Sequence, residues 1–160
     1  MGKDTEKLKR AIINWFPKLA DDANFKITSP QTPNYNCIAW AYNYNDRWMW
    51  PDPLTPMYLD GVYYYWPDKV TKTPNVDSFI EAFRKKGYEI CENAEFDEKF
   101  QKIALYVKPG TKECTHAARQ LRNSFWTSKL GPGNDIQHGT PYTIEGNSYG
   151  VVYCIMSRVF

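Results

Sequence analysis

The chain has 160 residues, 42% of them apolar, with six Trp, twelve Tyr and eight Phe, which suits a sizeable core and excludes a disordered segment. Twenty basic residues against eighteen acidic ones leave a formal charge of +2, and no basic stripe is visible, so nucleic acid is not an expected partner. The charged start from Met1 to Leu8 lacks an apolar signal region and no apolar run is long enough to span a bilayer; no membrane partner is expected, and the location is cytoplasmic or reached by export without a signal peptide.

Glu6 stands where a myristoylation pattern needs Ser or Thr. The cysteines at 37, 91, 114 and 154 show no paired spacing and read as reduced thiols. In chain order, Leu8, Ala11, Ile12 and Trp15 repeat at helical spacing over residues 4–16 until Pro17 ends the run. A short strand is expected over 25–28, then a turn-rich approach, Ser29-Pro30-Gln31-Thr32-Pro33-Asn34, leads into a helix beginning at Cys37. The stretch 35–66 is crowded with Trp and Tyr and broken by Pro51, Pro53, Pro56 and Gly61, so it reads as irregular.

A helix follows with Thr73 as N-cap, Pro74 at its first position, Val76, Phe79, Ile80 and Phe83 as its buried stripe and Gly87 as its stop. The remainder reads as strands over 88–91, 102–107, 113–121, 125–130 and 151–156, with the loop from Gly131 to Gly139 left between the last two. No repeat or linker divides the chain. The expectation is one α+β domain over residues 1–160, with helices packed on an antiparallel sheet.

Cys37 carries the chemistry in this reading. A thiol at a helix start feels the positive end of the dipole and unpaired backbone N–H groups, which favour thiolate and predict a depressed pKa. His116, one of two histidines, lies in the strand over 113–121 and supplies the imidazole that a cysteine nucleophile needs within hydrogen-bonding reach. Asp135 and His138 are the candidates to orient that ring from its far nitrogen. The bland alternatives are a buried apolar thiol, a core histidine, a loop-capping Asp135 and an exposed His138.

The segments Asn36-Cys37-Ile38-Ala39-Trp40-Ala41, Trp48-Met49-Trp50-Pro51, Thr115-His116-Ala117-Ala118-Arg119-Gln120-Leu121, Trp126-Thr127-Ser128-Lys129-Leu130-Gly131 and Asp135-Ile136-Gln137-His138 resemble an uncharacterised family of small bacterial domains. More distantly, a helix-borne Cys followed by a strand-borne His is similar to papain-like hydrolases of the NlpC type. That resemblance implies a papain-like fold, a peptide or protein amide as substrate, no cofactor, and a third polar residue presented by the hairpin after His116. Pairing around Asn123 offers Ser128, Lys129 or Leu130 for that place.

The leading expectation is therefore a cysteine peptidase, amidase or deamidase, as in a toxin or effector domain, with an inhibitor or immunity protein as partner. Trp40, Trp48 and Trp50 would line a groove for peptide or sugar rings, or else form core under a long loop. Ser128 and Lys129 would hold a substrate carboxylate or oxyanion, with Arg119 beside Lys129 as a small anion site, or else form a solvated hairpin edge. Two other classes compete. Cys114 and His116, two apart and so on one strand face, would join Cys37 or His138 around a metal; or the aromatic stretch would serve a binding module without catalysis.

Overall fold

The computed structural model describes residues 2–160, with side chains from residue 5 onward, so Met1 and the side chains of residues 2–4 lie outside it. Helix α1 (Gly2–Trp15) runs into a 3-10 turn, Pro17–Asp21. Ile12 in the helix and Phe16 just beyond its end are buried, whereas Trp15, expected in the apolar stripe, is 58% exposed. After β1 (Lys26–Ile27) comes α2 (Cys37–Ala41), five residues long. The stretch read as irregular instead forms a small sheet of β2 (Trp48–Met49), β3 (Met57–Leu59) and β4 (Val62–Tyr65), ordered β2-β4-β3. Its turn residues concealed three very short strands.

Helix α3 (Val76–Lys85) buries Val76, Phe79, Ile80 and Phe83 as the spacing predicts. Its N-cap is Asn75, not Thr73: Asn75 Oδ1 accepts from the Asp77 amide at 2.9 Å, and Thr73 Oγ1 bonds Ser78 Oγ at 2.7 Å. The helix starts later because the Pro74 carbonyl accepts from the Cys114 amide and Asn75 bridges Glu113, which holds these residues extended.

The large sheet contains β5 (Glu89–Cys91), β6 (Phe100–Val107), β7 (Cys114–Gln120), β8 (Trp126–Lys129), β9 (Asp135–His138) and β10 (Val151–Val159). With β1 its order is β1-β9-β8-β7-β6-β10-β5, and every neighbour is antiparallel. The α+β expectation holds at this level. The segment 135–138, left in a loop by the sequence, is a strand whose four residues are all buried, so no alternation of polar and apolar residues marks it.

One face of this sheet carries α2 and α3 over Ile103, Leu105, Ala117 and Met156; the other carries α1 and the 3-10 turn over Ala104, Tyr106, Ala118, Trp126 and Ile155. Alternate residues of β6 divide between the two cores, as strand geometry requires. Two irregularities matter for the site. Thr115 is bulged out between Cys114, which pairs with Val107, and His116, which pairs with Tyr106. And β7 pairs with β8 only at Arg119–Thr127 and Gln120–Trp126, so the two strands part before Ser128 and Lys129.

The loop before β10 is closed by reciprocal backbone bonds between Gly146 and Gly150. Gly150 has φ +79°, and a Cβ there would lie 2.0 Å from the Val107 carbonyl oxygen. Gly150→Ala is therefore expected to cost about 2 kcal/mol or more, from left-handed backbone strain together with overpacking. Urea unfolding measures it; a variant as stable as the parent would contradict the close approach. Among the described residues, no helix is long and apolar enough to cross a membrane.

Candidate active site

Asn36 sets the start of α2. Its Oδ1 accepts from the Ala39 amide at 3.1 Å and the Met49 amide at 3.0 Å, while its Nδ2 donates to the Met49 carbonyl at 2.8 Å. The cap thus fixes both the helix and its distance from β2. Cys37 follows directly and is 7% exposed, its thiol facing the backbone amides of Ala117, Ile38 and Cys37 itself. Burial outweighs those amides and the charge of Lys129, pushing the thiol up to about 11. The depressed pKa expected from the helix start is thereby overturned: five residues of helix offer too little dipole to offset desolvation.

His116 is fully buried. The register turns its ring to the α1 face with Tyr106, whereas Cys37 and Ala117 belong to the α2 face. The expected hydrogen bond between Cys37 and His116 is not made. Instead His116 Nε2 lies 2.9 Å from Ser128 Oγ, Ser128 Oγ lies 2.8 Å from His138 Nε2, and His138 Nδ1 lies 2.7 Å from the Thr140 carbonyl oxygen. The His116 ring stacks on Tyr149 at 3.9 Å and 7°. Its Nδ1 is buried and has no partner.

Burial holds both imidazoles neutral, His138 at about 4 and His116 well below its usual range. The protons of the chain then follow from one carbonyl. The Thr140 oxygen can only accept, so His138 carries its proton on Nδ1 and presents a bare Nε2. Ser128 must donate its hydroxyl proton to that nitrogen, which leaves its oxygen to accept from His116 Nε2–H. The remaining nitrogen, His116 Nδ1, is therefore an unprotonated base. Nitrogen-15 spectra of the histidines are expected to show opposite tautomers, Nε2–H for His116 and Nδ1–H for His138, unchanged from pH 8 to 5; matching tautomers would disprove the assignment.

His138 thus reaches His116 through Ser128, and Asp135 does not take part. Lys129 and Asp135 pair across β8 and β9, on the other face of the strands from Ser128. Asp135 Oδ2 accepts from Tyr35 Oη at 2.5 Å and Ser29 Oγ at 2.9 Å. Burial first, and the Asp135 carboxylate next, raise the Tyr35 phenol to about 12. Tyr35→Phe is expected to lose about 1–2 kcal/mol, measured by urea unfolding, with no effect on His116; a shifted His116 spectrum would contradict the separation of the two faces.

Other expected substrate contacts are corrected too. Ser128 and Lys129 are fully buried, not a solvated edge. Lys129 Nζ donates to the carbonyls of Thr32, Gly131 and Gly133 at 2.6–2.8 Å, so it has no donor left for a substrate, and no anion site forms between it and Arg119. Trp40 donates to Thr127 Oγ1 at 2.9 Å, Trp50 packs edge-on against Phe79, and Trp48 lies against Tyr64 in the small sheet. Trp40 and Trp50 are packed against the α2-side core rather than lining an open groove with Trp48.

The metal reading fails on the bulge at Thr115. Cys114 and His116, two apart, end on opposite faces, and among the described residues no three His, Cys, Asp or Glu side chains converge on an ion position. Sequence reasoning missed Asn36 as the cap and Tyr149 as the stacking partner. Asn36 preceding Cys37 was a readable signal; Tyr149, arriving from a remote loop, left none.

Fold and site together define an α+β domain with a cysteine at the start of a short helix, laid where two antiparallel strands part over a buried His–Ser–His chain. Residues 26–157 match the family model of a domain of unknown function, DUF7689, and the chain belongs to that family. No curated protein and no solved structure matches it.

Proposed function

We propose that this domain is a thiol-dependent hydrolase or acyl transferase acting on amide bonds, with Cys37 as nucleophile, His116 as its base and a papain-like arrangement of the two. The observation that carries this reading is His116 Nδ1, a buried, unprotonated nitrogen without a partner, on the residue next to the Ala117 amide that the Cys37 thiol faces. A structural histidine ordinarily satisfies both ring nitrogens. Here one is tied to Ser128 and the other is left basic.

With Cys37 and His116 both neutral at rest, the chemistry is general-base catalysis and not attack by a standing ion pair. As the thiol sulfur attacks the amide carbonyl, its proton crosses from the α2 face to Nδ1 through the gap where β7 and β8 part, and the imidazolium is held by Nε2–H donating to Ser128. Collapse of the tetrahedral intermediate returns that proton to the leaving amine. The amides of Cys37 and Ile38 at the helix start supply the donors for the developing oxyanion. Ser128 and His138 fix the tautomer. Water, or an amine, then takes the acyl group from Cys37.

Incubation with activated acyl donors, such as p-nitrophenyl esters of N-blocked amino acids, tests the reading. Mass spectrometry is expected to show an acyl adduct on Cys37, absent in Cys37→Ala and formed at least about a hundredfold more slowly in His116→Gln. If folded protein leaves Cys37 unmodified under conditions that acylate a free thiol, or if His116→Gln reacts at the parent rate, the assignment fails. The competing reading, a binding module, draws support from Leu54 and Tyr58, which are 73% and 77% exposed beside β3 and on it. An inert Cys37 in a folded protein is the result that would favour it.

A further inference from the structure

Strands β10, β6 and β7 lie side by side, and the pairs Arg158–Gln101 and Arg119–Ile103 place two arginines at the same end of them. Arg122 follows just beyond β7. These three arginines line a cavity of about 430 Å³ with Asn43, Gln101 and Phe160. None of the three has an acidic partner: the ion pairs among the described residues use Lys18, Arg47, Arg84 and Lys112.

Each guanidinium is positioned, yet left with donors to spare. Arg119 donates Nη1 to the Trp40 carbonyl at 3.2 Å and sits 4.5 Å over the Trp40 ring. Arg158 donates Nη1 to the Lys86 carbonyl at 3.3 Å and lies over Tyr88, while Arg122 stacks 3.7 Å from the centre of the Phe160 ring. The Nε–H groups of Arg119 and Arg158 are buried and have no acceptor. Lys86 adds a fourth positive charge nearby, and repulsion from Arg158, Arg47 and Arg119 adds to burial in lowering its pKa. A chain with a net charge of only +2 has thus gathered three of its six arginines around a cavity lined by no Asp or Glu side chain.

Half-buried like charges repel, and orphaned N–H donors cost free energy until an acceptor arrives. Planar guanidiniums held on aromatic rings and main-chain carbonyls are the usual means of gripping phosphoryl oxygens in fixed geometry. We propose that this cavity binds a small molecule bearing a phosphoryl group with at least two negative charges. A single carboxylate would neutralise one of the three arginines and leave the others facing each other. The volume leaves room for an organic group beside the phosphoryl. The site stands independently of the thiol chemistry.

Isothermal titration with inorganic pyrophosphate, at ionic strength held constant with sodium chloride, tests the proposal, with citrate as the polycarboxylate control. Saturable pyrophosphate binding is expected, weakened at least about tenfold by Arg122→Gln and by Arg158→Gln, with citrate at least about tenfold weaker than pyrophosphate. Arg122 is exposed and makes no hydrogen bond among the described residues, so Arg122→Gln keeps the test valid if Arg158→Gln fails to fold, as circular dichroism would report. No pyrophosphate binding, an unchanged affinity in Arg122→Gln, or equal binding of citrate would each overturn it.

Discussion

Replacing Lys129 by Met is expected to remove about 3–5 kcal/mol of stability, a large share of what a domain of this size possesses. The side chain is fully buried, and its ammonium serves three carbonyls from two segments: Thr32 before α2, and Gly131 and Gly133 in the turn after β8. Its charge also faces Asp135 across the strand pair. Methionine would fill the volume but orphan three acceptors and leave the Asp135 carboxylate buried without a neighbouring cation. Urea unfolding measures the loss. Lys112→Met, which breaks an exposed pair with Asp77, should change little; equal effects from the two variants would show that Lys129 holds nothing together.

Acid should unfold the protein through its two histidines before its carboxylates titrate. Burial holds His138 at about 4 and pushes His116 well below its usual range, and each starts from an ordinary value of 6.5. With folded values below unfolded ones, the unfolded chain binds more protons as pH falls past 6.5, so stability drops with pH. It is level above that value. Between pH 7 and 5 the two together should remove about 3–4 kcal/mol, at ~1.4 kcal/mol per proton per pH unit. Asp22, whose pKa is lowered in the fold, adds a loss in the same direction only at lower pH. His138→Gln should remove about half of the slope between pH 7 and 5. Equal urea midpoints at pH 7 and 5 would show that the histidines are not held neutral.

The apolar stripe of α3 and the long strands β6 and β10 were legible from periodicity alone, because one principle, burial of one face or of both, governs every position in them. The site was legible in its members but not in its wiring. Cys37, His116, Ser128 and His138 all stand out as residue types, yet their relation depends on a single bulged residue, Thr115. A strand without the bulge would put Cys114 and His116 on one face, which is what a metal site needs; one extra residue sends the imidazole to the other side. Hydrogen-bond competition of that kind leaves no periodic trace. Asp135 and Lys129 misled for a related reason, since charged residues in a Gly-Pro-Gly-Asn neighbourhood ordinarily face water and here take their partners inside, Lys129 from three main-chain carbonyls and Asp135 from Tyr35 and Ser29.

The amide of Asn36 clasps the main chain of Met49 from both sides, as one peptide group grips another. The start of the thiol-bearing helix is thereby stitched to the small sheet as well as resting on the large one. The aromatic ribbon is consequently no detachable ornament: a cut or deletion between Trp48 and Tyr65 would loosen the anchorage of Cys37 itself. A molecule that tugged on the exposed Tyr58 edge would have a mechanical handle on the sulfur, with the β3–β4 and β4–β2 pairings and one asparagine between them.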